Sequence, residues 1–423
     1  MASELPTFPP EIINRIVEYL GDHRNRKTLE TCSLVSSSFR EPAQRQLFKH
    51  LNIVWRKPKR LIVHRLAKVF KRRASEKAVY GYGSKPLASF DERLRSYVEA
   101  IVILIPSFPV GFSTYHKLLP RVQRVTLTTD GARPVRLASM LSTPRNDIQE
   151  ILERPTLEVL NVQDMEAVPV TVLRSCAHLK TLGLWASTIC CADPSPSESE
   201  AGQAVSRRSG GGLTTLRLHE MSINRSLMSA FRDPSSPLCI SSLQNLRYHV
   251  WNEETAFDCK ALLQISSSSL EELELIIAYD ISCVIDLTHL QNLQAIKLHT
   301  LHVEGLLYAS RILESALHND TLTQFTVTIE SRLCISHEGV ERAAWRRLDE
   351  VLARKAVRTL PEFRLKIAVL FPGPASLPAM LKFVTDVMPK TVTVRLVRVS
   401  TLGGVSSHWD LIKAWKTRER WFG

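Results

Sequence analysis

The stretch from Phe8 to Leu51, FPPEIINRIVEYLGDHRNRKTLETCSLVSSSFREPAQRQLFKHL, decides how the N-terminal part of the chain folds. Its first apolar residues recur at three- and four-residue steps, and charged or polar residues occupy the other face, so we predict an amphipathic helix of about three turns. These apolar residues are Ile12, Ile13, Ile16, Val17 and Leu20. Pro9 and Pro10 suit the first turn of a helix, where a missing N–H costs little, and Gly21 suits its end.

Two more short helices are predicted after a polar loop at residues 22–27. The second carries a short apolar stripe of Leu29, Cys32, Leu34 and Val35, and the third is expected to begin at Pro42 and to carry Ala43, Leu47, Phe48 and Leu51. A module of about 45 residues is near the lower size limit for independent stability. It cannot bury all of these side chains against itself, so we expect the rest of the chain or a partner protein to cover them.

The residue pattern of this stretch resembles an F-box. The matching runs are Phe8-Pro9-x-Glu11-Ile12-x-x-x-Ile16-x-x-x-Leu20, Leu29-x-x-Cys32-Ser33-Leu34-Val35-Ser36-x-x-Phe39-Arg40 and Leu47-Phe48. They are most similar to the F-box-like domains of fungal proteins of the basidiomycete type. F-box proteins dock on a small Skp-family adaptor, which joins them to a cullin-based ubiquitin ligase. Phe39 stands where the family usually has Trp, and the loop Gly21–Lys27 is long and basic for the family.

The resemblance implies that eight residues contact the adaptor or hold the contact in place. They are Pro9, Ile12, Ile16, Leu20, Leu29, Val35, Phe39 and Leu47. The alternative is that the helices cap a larger domain and bind nothing.

From residue 98 onward the pattern apolar-x-x-apolar-x-apolar repeats, as in Leu270, Leu273 and Leu275. Copies begin at Val98, Val122, Leu157, Leu179, Leu213, Leu243, Leu270, Leu293, Leu322 and, more weakly, Val394. Most steps are about 22 to 35 residues, which overlaps the leucine-rich-repeat period. Alternating apolar and polar residues, as in TLGLW, predict strands with one buried face. Helix-length segments lie between them at 170–178, 256–265, 305–318 and 340–356.

These copies resemble the irregular leucine-rich repeats of fungal F-box proteins, although most lack the Asn that follows the strand in standard repeats. Because one strand-plus-helix unit buries little alone, neighbours must stack. We therefore predict an α/β fold in which an N-terminal three-helix F-box precedes an LRR-like curved solenoid with a parallel sheet. The alternative is a compact α/β domain. The predicted domains are an F-box-like domain at 5–52, a basic helical linker at 53–97, irregular repeats at 98–330, and C-terminal repeats with a cap at 331–423.

Two other regions differ in composition from the repeats. Residues 192–212 are rich in Ser, Gly and Pro, so we expect a disordered loop whose serines are open to phosphorylation. Beyond residue 330, strands are predicted at 363–371 and 391–399 and a helix at 378–388, before a tail with Trp409, Trp415 and Trp421. This tail is expected to pack in the cap, with a partner site as the alternative.

The chain carries a formal net charge of +13, and most of it is local. Residues 56–73 hold nine basic residues and no acidic one, and removing these nine from the 55 basic residues leaves 46 against 42 acidic ones. The nine are Arg56, Lys57, Lys59, Arg60, Arg65, Lys68, Lys71, Arg72 and Arg73. A solvated helix face, a nuclear-import patch and a contact for an acidic partner or nucleic acid all remain open. A phosphate-tracking chain would spread its charge over one face.

Motifs for catalysis or cofactor binding are not found in the sequence. It has no Gly-x-Ser-x-Gly elbow, Walker loop or His-Glu-x-x-His helix. No cysteine pair has zinc-knuckle spacing, and His289, His299 and His302 lack a further ligand nearby, so we expect no metal, no cofactor and no enzymatic activity. Eight scattered cysteines and an N-terminus without a secretory signal predict a cytoplasmic or nuclear protein. No apolar run approaches the length of a membrane span, so we expect no membrane as a partner.

The sequence thus favours a substrate-recognition subunit of a Skp–cullin–F-box ubiquitin ligase that binds a target protein through its repeats. On the sheet, residues between the apolar positions are expected to face that target. They are Lys180, Thr181, Gly183, Thr215, Arg217, Glu272, Glu274, Gln294 and Lys297. The alternative is an interaction scaffold or basic nucleic-acid-associated protein that does not engage a ligase.

Overall fold

The structure is a computed structural model that describes most of the repeat region and the N-terminal helices. The described residues are 9–21, 26–54, 96–105, 119–129, 135–137, 147–190, 212–221, 223–279, 281–301, 305–331, 340–354, 362–369, 386, 388 and 397–401. The chain divides into two compact units, residues 1–179 and 180–423. Both units combine helices with parallel strands, so the predicted α/β class with a parallel sheet is confirmed.

The first unit begins with three helices, α1 (Pro10–Tyr19), α2 (Arg26–Val35) and α3 (Ser37–Phe48). The prediction that Pro42 starts the third helix is wrong, because Pro42 lies inside α3. Ser36 is the actual N-cap, and its Oγ accepts a hydrogen bond from the Ser38 backbone N–H at 3.2 Å. Proline removes one helical hydrogen bond, and α3 continues past it.

The three helices share a small apolar core. Its buried members are Ile13, Val17, Leu29 and Ala43, and the partly buried residues packed against them are Leu20, Cys32, Phe39 and Leu47. All three helices therefore contribute to one core, although none of them is long enough to be stable in isolation.

The first unit continues with four parallel strands in sequence order. They are β1 (His50–Val54), β2 (Ala100–Ile105), β3 (Arg124–Thr129) and β5 (Val159–Gln163), and β4 (Val135–Arg136) pairs with β6 (Met165–Glu166). The remaining elements are α4 (Asp147–Leu152), β7 (Val168–Pro169) and α5 (Val170–Arg174).

The second unit contains eight parallel strands, each hydrogen-bonded to the next. They are β8 (Thr181–Trp185), β10 (Thr215–His219), β11 (Asn245–Val250), β12 (Glu272–Ile277), β13 (Ala295–Thr300), β14 (Gln324–Ser331), β15 (Glu362–Val369) and β16 (Val397–Thr401), with a short β9 (Ile189–Cys190). The helices are α6 (Arg225–Arg232), α7 (Glu253–Ile265), α8 (Gly305–Ala316) and α9 (Val340–Leu352). α7 packs against β11, and α8 packs against β12 and β13.

The repeated apolar pattern matches the strand register. Leu246 of β11 pairs with Leu216 on one side and Leu273 on the other, and the same row continues through Ile296 and Phe325. All of these side chains are buried. At the start of successive strands, two adjacent backbone N–H groups donate to one carbonyl oxygen of the preceding unit. For example, the N–H groups of Glu271 and Glu272 both donate to the Gln244 carbonyl at 2.9 Å. The units thus repeat in hydrogen bonding as well as in sequence.

The strand β1 lies before the predicted start of the repeats at residue 98. Phe48, Leu51 and Ile53 carry the apolar pattern, and Leu51 and Ile53 pair in register with Ile101 and Ile103. The predicted boundary after residue 52 therefore falls inside β1. Several predictions lie outside the described residues: the basic stretch 56–73, the Ser-rich loop up to residue 211, most of the helix at 378–388, His302 and the tryptophan-containing tail.

Candidate functional site

Helix α1 has one apolar side that the three-helix core does not cover. Ile12 is 42% exposed, Ile16 is 38% exposed and Tyr19 is 85% exposed, whereas Ile13 and Val17 on the same helix are buried. At about 100° per residue, the exposed residues occupy a sector of about 60° beside the core-facing pair. We call Ile12, Ile16 and Tyr19 the α1 flank.

The opposite side of α1 is polar and exposed. It carries Glu11, Asn14, Arg15 and Glu18. The helix therefore presents three surfaces: an inward apolar edge, a solvated polar side and the exposed α1 flank. Isolated apolar residues on a surface are common, but a contiguous exposed apolar stripe marks an interaction surface.

The predicted adaptor-binding residues lie in two different environments. Pro9, Ile12 and Ile16 are exposed, while Leu20, Phe39 and Leu47 are half-buried against the helical core. Leu29 is buried within that core, and Val35 is the last residue of α2, with its side chain outside the described part of the structure. The first three residues are thus placed to touch a partner, and the buried residue can act only by holding the helices together.

The predicted adaptor-binding set omits two exposed apolar residues, Tyr19 and Leu34. Tyr19 extends the α1 flank by one turn, and Leu34 of α2 is 77% exposed. The signal for Tyr19 was its three-residue spacing from Ile16, and the signal for Leu34 was its place in the CSLVS run that resembles the F-box.

The second unit presents a polar surface on one side of its sheet. Side chains alternate between the two sides of a strand, so the residues between the buried leucines share the other side. We call this set the polar face: Thr215, Arg217, His219, Asn245, Arg247, His249, Glu272, Glu274, Lys297 and His299. The register aligns Gly183, Arg217, Arg247, Glu274 and Lys297 in one row, so four of the residues expected to face a target are brought together.

Opposite charges pair across this polar face. The Arg247 Nε lies 3.4 Å from Glu274 Oε1, His299 Nε2 lies 3.1 Å from the same oxygen, and Lys297 pairs with Glu272. Burial alone would raise the pKa of Glu274, but the hydrogen bond from His299 and the charges of Arg247, His299 and Lys297 outweigh burial and lower it. Glu274 is therefore ionised at neutral pH and links three strands.

Of the three histidines considered in the sequence, His299 lies beside Glu274. Two histidines that no sequence motif indicated, His219 and His249, lie together on β10 and β11, with ring centroids 4.5 Å apart. They are about 30 residues apart in sequence, so only the strand register brings them together.

Exposed aromatic residues lie at the ends of β11 and β12. Trp251 follows β11 and is 41% exposed, and Tyr279 follows β12 and is 52% exposed. Because neighbouring parallel strands end at one edge of a sheet, both belong to the same edge. Phe257 of α7 is also exposed. Tryptophan and tyrosine are common among the residues that contribute most to protein–protein affinity.

Two buried thiols, those of Cys176 and Cys259, are unsuited to nucleophilic catalysis. Burial raises the pKa of Cys176 to about 12, with a smaller contribution from Glu153. Burial likewise raises the pKa of Cys259, a fully buried residue of α7. Because the thiolate is the nucleophile, both cysteines serve as packing residues.

Comparison with known proteins gives no match: no protein-family model matches the chain, and no curated protein resembles it closely enough to count as a match. Among the described residues, no helix has both the length and the apolar character needed to cross a membrane. The α1 flank and the polar face are therefore the candidate interaction surfaces.

Proposed function

We propose that this chain is the substrate-recognition subunit of a Skp–cullin–F-box ubiquitin ligase. The observation that carries the proposal is the exposed α1 flank, in which Ile12 and Ile16 remain open although Ile13 and Val17 beside them are buried. These two isoleucines are positions at which the sequence resembles the adaptor-contacting residues of an F-box. Covering them with an apolar partner removes water from both surfaces, which favours association.

In this proposal the repeats form a leucine-rich-repeat-like solenoid that binds the target protein. The support is the in-register row of buried residues, the packing of α7 and α8 against β11, β12 and β13, and the polar face on the other side of the strands from the buried row. Charged pairs such as Arg247–Glu274 would select the target by electrostatic complementarity. Trp251 and Tyr279 would supply apolar contact area at the edge.

The chain's contribution to ubiquitin transfer is placement, and other subunits carry the chemistry. Docking both the adaptor and the target raises the effective concentration of a target lysine near the conjugating enzyme. The chain itself is then non-enzymatic, needs no cofactor and works in the cytoplasm or nucleus.

Co-purification with a Skp-family adaptor tests the proposal. The full chain is co-expressed with the adaptor, beside an Ile12→Ala/Ile16→Ala double variant and an Asn14→Ala control on the polar side of α1. We expect the wild type and the control to retain the adaptor and the double variant to lose it. If the wild type purifies alone, or if the double variant retains the adaptor fully, the chain does not dock in this way, and the scaffold alternative is favoured.

A further inference from the structure

Two histidines and one glutamate converge at the end of β10 and β11. The rings of His219 and His249 have centroids 4.5 Å apart and planes inclined by 33°. The Glu220 Oε1 lies 3.8 Å from His219 Nδ1. One nitrogen from each histidine and one oxygen from the glutamate all lie within 4.8 Å of one another. Three potential metal donors thus lie close to one another.

The fold holds these three residues in place. Leu218 pairs with Tyr248 across β10 and β11, so the residues that follow them, His219 and His249, lie beside each other on the polar face. Both histidines are buried, with 8% and 7% of their surfaces exposed. Glu220 turns the chain directly after β10 with φ 51°, in the left-handed region. Since both histidines are on strands, the cluster belongs to the rigid part of the second unit.

We infer that His219, Glu220 and His249 bind one divalent transition-metal ion, for which zinc is the best match. Two imidazoles and one carboxylate form a common zinc donor set, and a fourth position is then left for water or another ligand. Imidazole donors disfavour calcium and magnesium, which prefer oxygen ligands. The site would be independent of adaptor docking, because it lies in the second unit.

The distances fit a site that closes around an ion. A tetrahedral zinc ion with bonds of about 2.1 Å holds its donors about 3.4 Å apart, so donors that lie within 4.8 Å of one another would move closer together on binding an ion. A metal ion binds the neutral form of imidazole. The charges of Arg217 and Arg247, two residues earlier on the same strands, oppose the ion. The Arg247 charge is offset by Glu274 at 3.4 Å.

Metal titration of the untagged full-length chain tests the inference. After treatment with a chelator, the protein is titrated with Zn²⁺ by calorimetry and with Co²⁺ by visible absorption, which reports tetrahedral coordination. We expect one high-affinity ion per chain. His249→Gln, chosen to preserve side-chain volume, and His219→Ala should each weaken binding at least about 100-fold, and Glu220→Gln should weaken it at least about tenfold.

The matched control is His299→Ala, because His299 lies on the same polar face but binds Glu274 at 3.1 Å. This variant should bind Zn²⁺ as the wild type does. Zn²⁺ should also raise the thermal midpoint of the wild type and of His299→Ala, but not that of His249→Gln, since a ligand stabilises the state that binds it. Circular dichroism verifies that each variant is folded.

Two outcomes would overturn the inference. One is a wild type that binds no ion at one equivalent. The other is that His249→Gln and His299→Ala behave alike, either because both variants lose Zn²⁺ binding or because neither does. Any bound ion would then lie elsewhere, for example on some of the eight cysteines in the chain.

Discussion

Replacing Ile16 by aspartate should abolish adaptor binding without unfolding the N-terminal helices. Ile16 is 38% exposed, so covering it gains about 1 kcal/mol of the roughly 1.5–3 kcal/mol that full burial of an isoleucine provides. A carboxylate enclosed in an apolar contact costs several kcal/mol more. Since about 1.4 kcal/mol corresponds to a tenfold change in affinity, we expect the Kd to rise at least about 100-fold.

The fold should tolerate this change, because Ile16 lies outside the buried core. A new negative charge in the C-terminal half of α1 costs about 0.5 kcal/mol through the helix dipole. Asn14→Asp adds the same charge on the exposed polar side of α1 and should leave the Kd unchanged. Calorimetric titration with purified adaptor measures the Kd, and chemical denaturation measures the stability. A folded Ile16→Asp variant that binds within about threefold of the wild type would refute the role of the α1 flank.

Three further predictions concern the second unit. Leu273→Ala removes a fully buried member of the in-register row, so it should lower the free energy of unfolding by about 2–5 kcal/mol. The control Lys297→Ala, on the polar face, should lower it by less than about 1 kcal/mol. Asn252→Ala removes the α7 cap, in which Asn252 Oδ1 accepts from the Thr255 N–H at 2.8 Å, and urea titration should show a loss of about 1 kcal/mol; an unchanged midpoint would contradict the capping role. Glu274 has a lowered pKa in the folded state. Its stabilising effect is therefore present above the ordinary carboxyl pKa of about 4.3 and is lost as the pH falls through the folded-state value. Glu274→Gln should make the free energy of unfolding less dependent on pH below about 5, and identical pH profiles for the two proteins would disprove this linkage.

Much of the fold could be predicted from the periodicity of the sequence. The apolar pattern located every long strand from β2 to β14, because the three apolar residues of each copy are buried. β1 was missed because Phe48 fits both the end of a helix and the start of a repeat. The predicted start of α3 is wrong because Ser36 caps the helix before Pro42, and the helix continues past the proline.

The candidate sites were less predictable, because they depend on residues far apart in sequence. The resemblance indicated Ile12 and Ile16, but periodicity alone could not tell the exposed isoleucines from the buried Ile13. The pairing of His219 with His249 depends on strand register, which one sequence does not specify across a connection of about 25 residues. Glu274 and Lys297 were expected to face a target, and their mutual alignment likewise became visible only from the register.

The most direct test of the central claim is size-exclusion chromatography with light scattering on the wild-type chain mixed with a Skp-family adaptor. We expect one chain and one adaptor to form a complex that persists on dilution and recruits a cullin. Separate elution of the two folded proteins at concentrations well above the expected Kd would contradict it.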